Sequence, residues 1–92
     1  MRDLSALERD IMYLLAGSSG LKGYEIREQL EEYYDRTVYD GSIYPAIETL
    51  TEEGLVLREE LNGRTNQYQL TTRGQDEMRF RRRWENESNE KL

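Results

Sequence analysis

The feature that most constrains this chain is the pair Asn62-Gly63 set between two short alternating segments. Asn-Gly is the strongest two-residue signal for a β-hairpin turn. A two-residue loop at that point pairs Leu61 with Arg64, and counting back sets Leu57 opposite Tyr68 and Leu55 opposite Leu70. Directly opposed residues share a face. The root of the hairpin, residues 55–70, therefore has one apolar face, which becomes Glu59 and Asn66 nearer the tip. A hairpin buried at its root and polar at its tip projects into solvent.

Three helices precede it. Ser5 and Glu8 form a capping box, in which a Ser N-cap and an acid three residues on satisfy each other's orphan amides. Leu7, Ile11, Leu14 and Leu15 then recur at helical spacing, giving a first helix over 6–16 that ends at Gly17-Ser18-Ser19-Gly20. A second helix over 23–34 places Ile26, Leu30 and Tyr33 on one face, with Glu25, Glu28, Glu31 and Glu32 opposite as a solvated face. A connector over 35–41 carries one buried candidate, Val38. Pro45 sets the start of the third helix. Proline has no N–H and is comfortable only in a first turn. With Ser42 as N-cap, Pro45 falls at the third position, so the helix is expected over 43–53. Its buried stripe is Ile43, Ile47 and Leu50, and Gly54 suits the left-handed exit. After the hairpin, Thr72 and Gln75 form a second capping box for a final helix over 73–86. There Met78 lies on one side and Phe80 and Trp84 on nearly the opposite side. The tail from Asn86 to Leu92 is polar and expected to fray.

The order helix, helix, turn, helix, hairpin, helix is that of a winged helix-turn-helix, mostly α with a small β-hairpin. The expected organisation is a DNA-binding unit over 1–71 and a C-terminal dimerisation helix and polar tail over 72–92. In this geometry the third helix enters the major groove N-terminus first and the wing reaches a flanking phosphate or the minor groove.

Three segments in order, together spanning 21–74, resemble PadR-type transcription regulators. Leu21-Lys22-Gly23-Tyr24-Glu25-Ile26 resembles the opening of that family's second helix. Gly41-Ser42-Ile43-Tyr44-Pro45-Ala46-Ile47 with Glu52-Glu53-Gly54-Leu55-Val56 resembles its third helix and exit, and Tyr68-Gln69-Leu70-Thr71-Thr72-Arg73-Gly74 its second wing strand. The acidic balance and Arg64-Thr65-Asn66 are most similar to short haloarchaeal members. The resemblance implies a homodimeric regulator in which the C-terminal helix helps form the dimer. It departs in two ways. The family's wing usually carries several basic residues, whereas this one has Arg58 and Arg64 around Glu59 and Glu60. The region after the wing is short, which resembles the subfamily lacking a separate effector domain, and no dedicated small-molecule pocket is expected.

Composition bounds the function classes. Ninety-two residues suit one domain, against a soft prior of about 150 per domain. With 36% hydrophobic residues the core is thin, and a second copy is a natural supplement. There is no Cys and no His, which removes disulfides, thiolate zinc sites, a thiol redox switch and the commonest general base. No paired-carboxylate spacing replaces them, so neither an enzyme nor a metal or other cofactor is expected. Met12 and Met78 are oxidisable in principle, but packing is their plain role. No apolar run suits a membrane span or signal peptide, and a cytoplasmic protein without membrane partners is expected.

Net charge is −6, with 11 Arg but only 2 Lys. Residues 1–40 carry −4, residues 41–71 carry −3 and residues 72–92 carry +1. The presumed DNA-facing helix and wing are thus net negative, although phosphate neutralisation normally dominates affinity for DNA. Excess acid with scarce Lys fits a protein adapted to a salty cytoplasm, where that contribution shrinks and hydrogen bonds, shape and bridging salt ions carry more of the binding.

The candidate DNA-binding residues are Lys22, Tyr24, Ser42, Tyr44, Pro45, Thr49, Arg64, Thr65 and Asn66. Ser42 and nearby amides either cap alone or also meet a phosphate. Tyr44 either donates to phosphate or packs on helix two. Arg64 is the leading basic contact, unless it pairs with a nearby acid, and Thr65 and Asn66 position the wing. Asp40 suits a structural turn role better than acceptance from a cytosine amino group. The cluster Arg79, Arg81, Arg82 and Arg83 suits pairing along the helix, as in Glu77 with Arg81 and Arg81 with Glu85, better than DNA contact. Phe80 and Trp84 are the dimerisation candidates. The alternative is a winged-helix protein-interaction module without DNA binding.

Overall fold

The computed structural model describes residues 3–90, with side chains described as far as Glu85. Four helices and three strands follow in the order α1 (Ala6–Ala16), β1 (Leu21–Lys22), α2 (Gly23–Tyr34), α3 (Asp40–Glu52), β2 (Val56–Asn62), β3 (Thr65–Leu70) and α4 (Thr72–Glu90). The fold is a winged helix-turn-helix, as its order of elements implies.

The capping box of α1 is formed: Ser5 N–H donates to Glu8 Oε1 at 2.8 Å and Glu8 N–H donates to Ser5 Oγ at 3.1 Å. Ile11, Met12 and Leu15 of α1 meet Ile26 and Leu30 of α2 and Ile43, Ile47 and Leu50 of α3 in one core, closed from beneath by Leu55, Val56, Tyr68, Leu70 and Met78. Val38 is buried in the connector, and its N–H donates to Glu31 Oε2 at 3.0 Å. Tyr33, expected in the core, stands 78% exposed. Tyr34 takes the inward place instead, since it lies one turn after Leu30, and its hydroxyl donates to Asp10 of α1.

The third helix begins three residues earlier than Pro45 suggests. Tyr39 occupies the N-cap position and Ser42 lies inside the first turn, its N–H donating to Tyr39 O at 2.9 Å. Pro45 is therefore inside α3 and leaves the Gly41 carbonyl without its i+4 donor. Gly41 is exposed, so water can satisfy that carbonyl and the cost falls well below that of a buried break. The far end follows expectation: Leu55 N–H donates to Leu50 O and Gly54 N–H to Thr51 O, both at 3.0 Å, with Gly54 at φ 76°. That is a Schellman closure.

The hairpin register differs by one residue. Val56 pairs with Leu70, Arg58 with Tyr68 and Glu60 with Asn66. Asn62 pairs with Thr65, so the turn is Gly63-Arg64 and Leu61 is an extra residue in a bulge. Because strand side chains alternate, the slip moves each β2 residue to the other face. Val56 is buried, whereas Leu57 is 49% exposed. The core chooses Val56 because Leu55, held at the Schellman closure, is already buried just before the strand.

Two further features escaped sequence reading. Leu21 and Lys22 form β1 and pair with Tyr68 and Gln67, making a sheet of order β1-β3-β2. The cap of α4 is Thr71 and not Thr72: Gly74 N–H donates to Thr71 Oγ1 at 3.0 Å. That helix continues to Glu90, so most of the tail expected to fray is helical, and residues 91–92 lie outside the described residues.

Candidate nucleic-acid interface

Three elements converge on one face. Strand β1 ties Lys22 to Gln67 of the wing and delivers the first turn of α2 beside the wing tip. Lys22, Gly23, Tyr24, Tyr44, Arg64, Thr65, Asn66 and Tyr68 line a single notch of about 290 Å³. Six of the nine expected DNA-contacting residues thus share one concave surface. Lys22 Nζ sits 5.9 Å from the centre of the Tyr24 ring, a cation–π distance that steadies an otherwise flexible ammonium.

Tyr44 is the joint of this surface. Of the two roles expected for it, the packing on helix two is seen: its ring lies on the first turn of α2, while the residue remains 41% exposed. Gly23 makes the contact possible: a Cβ there would lie 2.6 Å from the Tyr44 hydroxyl and 2.8 Å from a ring carbon. Burial, then the charge of Asp40 and the neighbouring Tyr68, raise the Tyr44 hydroxyl above its ordinary value. It keeps its proton at neutral pH and can donate to an anionic oxygen.

The remaining three expected residues lie along α3, outside the notch. Ser42 and Pro45 are exposed and Thr49 is half-buried. Thr49 turns its hydroxyl back on the helix, donating to Pro45 O at 3.0 Å. Asp40 accepts from Arg27 Nη1 at 2.7 Å, which is the structural role favoured for it. Arg27 itself was not singled out, because nothing local links two residues thirteen apart on different helices. Arg58 was assigned to the wing alone. The observed register turns it toward α3, where it lines a second groove of about 510 Å³ with Glu48, Glu52, Tyr44 and Asn66.

On the far side, α4 buries Met78 and leaves Phe80 and Trp84 67% and 62% exposed. The arginines pair along the helix in part: Arg81 with Glu77 at 2.9 Å and Arg79 with Asp76 at 3.3 Å. Glu85 accepts a hydrogen bond from the Tyr13 hydroxyl of α1 at 3.0 Å, where a pair with Arg81 is the expectation. Among the described residues no group of three or more His, Cys, Asp or Glu side chains is placed to hold a metal ion. No described helix is long and apolar enough to cross a membrane.

The fold and this surface define a winged-helix regulator class. The chain belongs to the transcriptional regulator PadR-like family, whose model matches residues 11–80. No curated protein sequence matches it. Among solved structures it is similar to RosR of H. salinarum, at 38% identity over 90% of this chain and 74% of that one, with TM-score 0.86. It is also similar to a PadR-like transcription factor from Bacteroides fragilis, at 26% identity over 92% and 84%, with TM-score 0.81. Bacillus subtilis PadR, solved in complex with operator DNA, matches at 27% identity over 82% of this chain and 45% of that one, with TM-score 0.69.

Proposed function

We propose that this protein is a sequence-specific, double-stranded-DNA-binding transcription regulator that acts as a homodimer in the cytoplasm. The observation that carries the reading is the shared notch of Lys22, Tyr24, Tyr44, Arg64, Thr65 and Asn66, where the second helix, the recognition helix and the wing tip converge. A phosphate there meets two cationic side chains and several hydroxyl or amide donors, while Ser42, Pro45 and Thr49 of α3 enter the major groove. The wing, with Arg64 at its tip, follows the flanking backbone or minor groove. A relative of the same family solved in complex with operator DNA supports the DNA-binding reading.

Residues 1–71 form the DNA-binding unit and α4 the dimer helix. Phe80 and Trp84 supply the apolar contact with a second copy, which places two recognition helices on half-sites about one helical turn apart. Binding tolerates salt, because Glu48, Glu52, Glu59 and Glu60 leave the DNA-facing surface short of net positive charge. Cations of the solvent bridge these acids and the duplex. Titrating a selected duplex against KCl tests this: affinity should fall shallowly, and a steep ordinary loss would refute it.

The same acids favour a second reading, a protein-interaction module that has lost DNA binding. A gel shift against genomic fragments across KCl concentrations separates the two. No shift at any concentration would leave the second reading standing.

A further inference from the structure

The first turn of the recognition helix is weakly held by its own backbone. Its N-cap, Tyr39, makes no side-chain cap hydrogen bond, and Pro45 cannot donate to Gly41. The turn is instead tied to α2 by Arg27, whose Nη1 lies 2.7 Å from Asp40 Oδ1. Arg27 lies on α2, five residues after Lys22 and three after Tyr24. Asp40 directly precedes Gly41 and Ser42 at the tip of the recognition helix. Both members of the pair are open to solvent, with side chains 34% and 58% exposed. An exposed pair of this kind is held loosely and is readily exchanged. The Asp40 hydrogen bond and charge favour the protonated guanidinium, with Glu31 adding to that field and Tyr44 nearby. Arg27 is thus a permanent cation, already neutralised, at the edge of the surface that meets DNA.

We propose that Asp40 is a built-in counterion for Arg27, exchanged for a backbone phosphate when DNA binds, so that this contact adds almost nothing to the salt dependence of binding. The charge balance runs through both anions. Arg27 leaves one carboxylate and neutralises one phosphate, which releases about 0.9 of a condensed cation from the duplex. Asp40, left uncompensated beside the DNA, takes up a cation in return. The two nearly cancel. An unpaired arginine at the same place would make affinity fall with added salt by the full increment. The inference rests on the DNA-binding reading above and explains how an arginine can serve it without a steep salt response.

The test is the dissociation constant of the full chain for a fluorescent duplex, selected from random-sequence DNA with the wild-type protein, measured across KCl concentrations. Four proteins are compared: wild type, Asp40→Asn, Arg27→Ala and the double variant. Asp40→Asn should bind more tightly at low KCl and steepen the logarithmic salt slope by about 0.9. Its advantage over wild type then shrinks about eightfold for each tenfold rise in KCl. Arg27→Ala should bind more weakly with the wild-type slope, and the double variant should also keep that slope. Asp40→Ser replaces Asp40→Asn if circular dichroism shows the latter unfolded. An unchanged slope in the Asp40 variant overturns the exchange. A steeper slope that persists without Arg27 also overturns it, because loss of Asp40 repulsion alone would then explain the effect. A wild-type chain that binds no duplex at any KCl concentration overturns the DNA-binding reading and this inference with it, a result distinct from either slope outcome.

Discussion

Replacing Gly74 by Ala should destabilise the protein, although a helical glycine invites the opposite expectation. Helix propensity alone favours Ala over Gly by about 1 kcal/mol. The structure reverses the sign. Gly74 lies in the first turn of α4, which is pressed against the entry to β2. A Cβ there would lie 2.1 Å from the Leu55 carbonyl oxygen and 3.1 Å from its carbon. The obstacle is backbone and cannot rotate aside. It is also tied in place, since Thr71 N–H donates to that same oxygen at 3.1 Å and Thr71 Oγ1 donates to Gly54 O at 2.7 Å. Relieving the clash requires α4 and Leu55 to separate by about 1 Å, an overpacking cost of about 1–3 kcal/mol. Weakening the Thr71 hydrogen bond adds about 1 kcal/mol. After the propensity gain, the net loss is about 1–3 kcal/mol. For a domain of this size a 2 kcal/mol loss lowers Tm by about 10 °C. Thermal unfolding by circular dichroism at fixed protein and KCl concentration reads it. Gly41→Ala is the matched control: it lies in the first turn of α3 and a Cβ there meets nothing within 4 Å. It should raise stability by about 0.5–1 kcal/mol. A Gly74→Ala protein as stable as wild type would refute the reasoning.

Other perturbations test the surface and the dimer face. Arg64→Ala should weaken binding to many duplex sequences by a similar factor if the side chain meets phosphate; a loss confined to one base position in a substitution series would show base readout instead. Phe80→Glu should convert a dimer to monomer in sedimentation velocity, because it sets a charge in an apolar contact, while leaving the circular dichroism spectrum intact; an unchanged sedimentation coefficient would refute that role for α4. The Tyr34 hydroxyl is pushed up to about 12 by burial, then by its hydrogen bond to Asp10 and that carboxylate's charge. A raised folded value means that the contribution of Tyr34 is complete below about pH 10, the ordinary tyrosine value, and is lost as pH rises through about 12. The stability gap between wild type and Tyr34→Phe should therefore be constant up to about pH 10 and close above it. A gap that stays constant into strong alkali would contradict the assignment.

Local chemistry made much of this protein legible. The Ser5–Glu8 box, the Ile43, Ile47 and Leu50 stripe and the exit at Gly54 each depend on neighbours within a turn or two, and each appears in the structure as its spacing implies. Most of the candidate interface was nameable for the same reason, because its residues lie at helix starts and at a hairpin tip. Reasoning from single residues failed where a distant partner decided. Pro45 seemed to bar an earlier helix start, but an exposed Gly41 carbonyl makes the broken bond tolerable. Asn62-Gly63 set the position of the hairpin to within a residue, yet its register followed the burial of Leu55 and Val56. Spacing from Ile26 and Leu30 favours Tyr33, yet it is Tyr34 that turns inward, where Asp10 of another helix accepts from its hydroxyl.

The sequence by itself therefore determined the order of the four helices and the hairpin, most of each helix's apolar face and the family, because these follow from short-range periodicity and from motifs carried whole along the chain. Only the tertiary structure decided which strand face is buried, that Leu21 and Lys22 join the sheet, that Gly74 must lack a side chain and that Arg27 stands against Asp40. Each of these is a contact between residues far apart in sequence, set by how the elements pack against one another, and no local pattern encodes that packing.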